Sequence, residues 1–154
     1  MMAMTPDPAR HVPLDSRATT AVLPSKKARY TGIGLSAFAV LFLSFDASMK
    51  VLQVAPAMQG TVELGYPASV VLGLGLLQVA CLIAYLVPQT AVLGAVLWTG
   101  YLGGAVATHV RVGHPLFSHE LFPVYVALLL WGGLWLREPR LRALLPLRGD
   151  RQSQ

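Results

Sequence analysis

Three histidines spaced five residues apart, His109, His114 and His119, stand with Arg111 and Glu120 in the stretch ATHVRVGHPLFSHELFP, residues 107–123. Imidazole is the commonest metal ligand, and a pair of histidines facing each other across helices can hold a haem iron. With an arginine and a glutamate nearby, the same residues can line a ligand pocket or mark where a chain leaves a membrane. The spacing speaks against metal and haem. Five residues turn an α-helix by about 140°, so the three rings do not share a face. Gly113 and Pro115 break a helix at this place in any case. The ligand spacings of zinc sites are missing. His109 and His119 can oppose each other only at the extreme edge of the molecule. The expectation is no metal site and no evident cofactor.

Asp46 is the other residue with chemical promise. It follows the apolar run YTGIGLSAFAVLFLSF directly. Its side chain is too short to reach back toward water as a lysine can. An acid near membrane depth points to function and needs a partner. Lys50 lies at i+4 on the same helical face and can pair with it. Arg111 is the alternative partner, brought from another helix. Asp46, Lys50, Glu63, His109, Arg111, His119 and Glu120 thus form one candidate polar cluster. It reads either as a ligand pocket or as a rim of interfacial charge.

The elements that must position this cluster are apolar helices. Of the 154 residues, 55% are hydrophobic and 12% charged, against about 25% charged in a soluble domain. The chain reads as all-α, a membrane-embedded four-helix bundle behind a disordered basic leader at residues 1–28. The bundle is expected at 29–139, with spans at about 30–50, 66–87, 90–109 and 117–136, and a basic tail at 140–154. At about 1.5 Å per residue the second and third apolar segments reach about 30 Å, the thickness of a bilayer's hydrocarbon core. The fourth is short at its apolar core. Pro88 and Gln89 join the second and third segments in a tight hairpin, and the stretches 51–65 and 110–120 read as loops.

Charge sets the orientation. Arg10, Arg17, Lys26, Lys27 and Arg29 precede the spans, and Arg137, Arg140, Arg142, Arg148 and Arg151 follow them. Between these groups stand only Lys50 and Arg111. Excess Lys and Arg stays cytoplasmic. Both termini are therefore expected in the cytoplasm, the two long loops outside, and the basic ends are read as topology signals with no nucleic-acid partner. The single cysteine, Cys81, excludes thiol oxidases that need a cysteine pair of their own.

Packing signals concentrate in the third span. Gly100, Gly104, Ala107 and Thr108 fall along one side of a helix, where small residues let two helices approach in lipid. They serve contacts within the bundle or a homodimer, and on this reading Gly104→Leu would wedge the helix from its neighbour. Gly73, Gly75, Gly132 and Gly133 are smaller notches. Gln78 and Thr99 near midspan are expected to bond between helices, Gln78 toward the third span, with a ligand contact as the alternative for Gln78. One conflict stays open. His109 shares a face with Trp98, Leu102 and Ala105, whereas Arg111 lies with Gly100 and Gly104, and only one face can point inward.

The segments LGYPASVVLGLGLLQ, TAVLGAVLWTGYLGGAVATHVRVGHPLFSHELFP and GLWLREPRLRALLP together resemble the DoxX-like family of bacterial four-helix membrane proteins. The resemblance covers about residues 30–148. It implies a bacterial cytoplasmic-membrane protein, surrounded by membrane lipid. The wider group includes a small subunit of a thiosulfate:quinone oxidoreductase and members associated with thiol and oxidative-stress partners. It thus implies an accessory or scaffold subunit, with a protein partner in a redox complex and quinone as the associated cofactor. It carries over no catalytic residue, and the chain holds no self-contained catalytic motif. The alternative is a small ligand- or quinone-binding membrane protein that uses an outer pocket around Asp46.

Overall fold

The computed structural model describes residues 25–115, 117 and 121–144. His119, Glu120, most of the expected leader and the tail beyond residue 144 lie outside the described residues. The chain is all-α, with no strand among the described residues. Helix α1 runs Lys26–Val51, α2 Ala55–Glu63, α3 Val71–Leu86, α4 Ala91–Val112, α5 Phe122–Arg137 and α6 Pro139–Leu144. A single 3-10 turn, Ala68–Val70, leads into α3.

Local chemistry sets most of these boundaries. Ser25 caps α1, its hydroxyl accepting from the Ala28 N–H at 3.2 Å. Pro56 sits in the first turn of α2, where a missing N–H does no harm. Val87 is extended ahead of Pro88, as a residue before proline prefers, and α3 stops there. Glu138 ends α5 ahead of Pro139 in the same way. Gly113 closes α4 in a left-handed conformation, φ 77°, its N–H returning to the His109 carbonyl. Arg142 of α6 donates to the carbonyls of Trp135 and Leu136, each at 2.8 Å, which serves the last turn of α5.

Two parts depart from the loops and tail read from the sequence. Residues 55–63 form a helix within the first long connection, and 139–144 form another after the last span. Both are too short for a periodic apolar pattern to reveal them.

The long helices close a ring in which α1 packs on α3 and α5, and α4 packs on α3 and α5. Among the described residues three helical stretches are long and apolar enough to cross a membrane: Lys26–Val51, Ala68–Leu86 and Ala91–Val112. Helix α5 has 16 residues, or about 24 Å of rise, and is shorter than the hydrocarbon core. The outer surface carries large apolar side chains such as Phe38, Leu41, Phe45, Leu76 and Ile83, as expected of helices whose solvent is lipid.

Of the glycines singled out from the sequence, Gly75 and Gly133 make close helix approaches, and Gly32 and Gly94, which were not singled out, join them. A Cβ at Gly32 would lie 2.8 Å from the Gly133 carbonyl oxygen, and one at Gly133 would lie 2.8 Å from the Ser36 nitrogen. These two glycines seat α1 against α5. Gly75 seats α3 against the end of α1, 2.8 Å from the Val51 nitrogen, and Gly94 seats α4 against α3. At Gly73, Gly132, Gly100 and Gly104 a Cβ would meet nothing within 4 Å. Gly100 and Gly104 therefore make no close contact with the described residues. Gly104→Leu is accordingly expected to leave detergent thermal stability within a few degrees of the parent. A large drop in the melting temperature would show that a neighbour covers this face.

Buried polar groups tie the ring together. The Tyr85 hydroxyl sits 3.0 Å from Ser36 Oγ and donates to the Leu130 carbonyl at 2.9 Å, joining α3 to α1 and α5. On the exposed side of the ring, Thr99 Oγ1 accepts from Trp131 Nε1 at 2.9 Å, joining α4 to α5. Gln78 does not bond toward α4 as the sequence reading had it. It reaches α1 instead.

Candidate functional site

At the end of the ring opposite Lys26 and Arg137, the four long helices part around a cavity of about 430 Å³. Helix α1 supplies Asp46 and Lys50, α3 supplies Leu74 and Gln78, and α4 supplies Gly100, Tyr101, Leu102, Gly104, Ala105, Thr108 and His109. Phe122 and Val126 of α5 complete the wall, while Thr61 of α2 and Leu64 just after it close one side. Most of the lining is apolar, and the charge is concentrated on α1.

Asp46 is the centre of the polar lining. Its Oδ2 accepts from Lys50 Nζ at 2.5 Å and from Gln78 Nε2 at 2.6 Å. The i, i+4 spacing gives Lys50 the short path, and Gln78 arrives because the Gly75 notch draws α3 against α1. The carboxylate is thus neutralised by an ammonium and anchored by an amide. That is the arrangement a low-dielectric setting requires, since an unpaired charge there is costly. Gln78 is 1% exposed, and its Oε1 has no hydrogen-bond partner among the described residues.

Arg111 lies elsewhere. Its Nη2 donates to the Leu64 carbonyl at 2.7 Å, and its guanidinium stands 5.9 Å from the Tyr66 ring centre. The Tyr66 hydroxyl in turn lies 3.0 Å from Thr108 Oγ1. Arg111 and Tyr66 together pin the connection before α3 onto α4. Gly65 permits this with a positive φ of 82° and no side chain toward Arg111.

The facing conflict of α4 resolves by burial. Ala95, Trp98 and Leu102 are buried, so their face points inward and carries His109 to the cavity. Gly100 and Gly104 line the cavity as well, because the space wraps around a flank of α4 that has no side chains to fill it. The left-handed turn at Gly113 folds His114 back, and the two Nδ1 atoms of His109 and His114 lie 2.8 Å apart. One of these nitrogens must carry the shared proton, so they do not present two lone pairs to one ion. Among the described residues no group of three His, Cys, Asp or Glu could hold a metal. Glu63 is exposed at the end of α2 and stands apart from the lining.

Of the candidate cluster, the structure therefore gathers Asp46, Lys50 and His109 around one space. It places Arg111 and Glu63 outside it. Gln78, read from the sequence first as packing and alternatively as a ligand contact, lines the cavity. Tyr101 and Thr108 also line the cavity and were not among the candidates. A helical signal for them existed, since Tyr101, Ala105 and Thr108 stand at i, i+4 and i+7 on one face of α4.

An all-α ring of apolar helices, open at one end around a paired carboxylate, fits an integral membrane protein with a cavity between its helices. The chain belongs to the DoxX-like family, whose model matches residues 34–133. No curated protein and no solved structure matches it.

Proposed function

We propose that this protein binds a membrane-derived amphiphile, a quinone or a lipid, in the cavity around Asp46. One observation carries the reading: a cavity of about 430 Å³ with mainly apolar walls holds the hydrogen-bonded set of Asp46, Lys50 and Gln78. Ligand sites span about 300–1,000 Å³ and combine apolar walls with a few convergent polar groups. Ionisable residues at membrane depth face cavities and partners, and mark function. Family resemblance favours quinone among such ligands.

The site faces outward from the bacterial cytoplasmic membrane, with both termini inside. This follows from the basic residues flanking the spans, Lys26, Lys27 and Arg29 before α1 and Arg137 at the end of α5. Reporter fusions at Met1, Gln89 and Gln154 are expected to read cytoplasmic, and those at Met58 and His114 external. An external signal at Gln89 would overturn the orientation.

Retention tests the binding. Protein purified in mild detergent and examined by native mass spectrometry and absorption is expected to carry a small amphiphile in stoichiometric amount. Asp46→Asn keeps the size and part of the hydrogen bonding, so it should retain the fold while occupancy falls on the order of tenfold. Unchanged occupancy would remove the site from the function. A bare protein arriving with a protein partner would instead favour an accessory subunit of a membrane redox complex.

A further inference from the structure

The chemistry of the ligand's polar head follows from Gln78, given the reading of the cavity as a ligand site. A carboxylate only accepts hydrogen bonds, so Gln78 must turn its Nε2 to Asp46, and its Oε1 faces elsewhere. That oxygen is buried without a donor among the described residues, on a side chain that lines the cavity. Buried acceptors are nearly always partnered. Lys50 and Gln78 bond the same carboxylate oxygen, so the ammonium and the amide stand side by side. An ammonium has three N–H groups, and one of them serves Asp46.

We infer that the cavity selects a hydroxyl-headed amphiphile, a phenol or alcohol whose O–H donates to Gln78 Oε1 while its oxygen accepts from Lys50 Nζ. One hydroxyl meets both needs. A carbonyl, ether or ester head, that of an oxidised quinone included, serves Lys50 and leaves the Gln78 oxygen bare, so of a quinone couple the reduced hydroquinone is the form that fits. A cationic head meets repulsion from Lys50, and an anionic head meets repulsion from Asp46. The apolar body lies along Leu74, Phe122 and Val126.

The test compares para-nonylphenol with its methyl ether, which keeps the acceptor and the chain and loses only the donor. Each is titrated into the protein in lipid nanodiscs by tryptophan fluorescence, with empty nanodiscs subtracted. The phenol is expected to bind on the order of tenfold tighter or better. Gln78→Met, which keeps length and removes the acceptor, should bring the two affinities together. Equal affinities in the parent protein overturn the donor requirement and leave the cavity reading standing. A preference that survives in Gln78→Met overturns it too. Failure of both compounds to bind takes down the cavity reading along with it. The ratio in the parent protein decides the matter even where the variant does not fold.

Discussion

Gly94→Ala is expected to cost most of the stability of this protein. A Cβ there would lie 2.3 Å from the Tyr85 nitrogen and 2.5 Å from its Cα. Both are backbone atoms of the facing helix, so no side chain can swing aside. The hairpin connection of residues 87–90 is short and is tied by Thr90 Oγ1 donating to the Ala84 carbonyl at 2.8 Å, which leaves α3 and α4 little room to separate. Displacing them would also unseat Tyr85, which is fully buried and bonds α1 and α5. Overpacking typically costs about 1–3 kcal/mol, and this site belongs at or above the top of that range. Gly100→Ala is the control. Its Cβ meets open space, and alanine is favoured over glycine in a helix by about 1 kcal/mol. Detergent melting curves should show the first variant strongly lowered and the second unchanged or raised. Equal melting of Gly94→Ala and the parent would mean that α3 and α4 are not in contact as described.

Asp46→Leu should be the most damaging change in the cavity. It removes the acceptor of both Lys50 Nζ and Gln78 Nε2 at once. Breaking a buried pair by deleting one partner costs about 3–5 kcal/mol, because the other charge is left uncompensated. Access from the cavity reduces this, since the Asp46 side chain is 37% exposed and that of Lys50 16%. About 2–3 kcal/mol is expected. The double variant Asp46→Leu/Lys50→Leu should recover most of the loss, because apolar replacement of a whole pair is often neutral. Melting temperatures of the two single variants and the double variant give the coupling directly. Additive losses would show that Lys50 turns outward to water and owes nothing to Asp46.

Much of the architecture could be read without coordinates. The all-α class and the four long segments follow from runs of apolar residues, because a helix is a structure that satisfies its own backbone in lipid. The proline and glycine stops at Pro88, Gly113 and Pro139 lie in the sequence as local chemistry. So does the pairing geometry of Asp46 and Lys50, which one helix decides by its own periodicity. Helices α2 and α6 were not legible, since a few residues beside a proline carry no period.

Relations between helices were a different matter. Gly100 and Gly104 carry the spacing of a packing notch, yet they border a cavity, while Gly32, Gly75, Gly94 and Gly133 meet backbone. A glycine permits a close approach but does not state which helix comes near. Arg111 stood beside Lys50 as the alternative partner for Asp46 until the register of α4 sent it to Leu64 and Tyr66. Gln78 read as midspan glue until the contact of α3 with α1 brought its amide to a carboxylate and left its oxygen bare. The sequence alone determined the helices, their ends and the pairs that one helix can form by itself. The tertiary structure decided which faces meet, because contacts between helices depend on rotation and register, and no single stretch of the chain contains either.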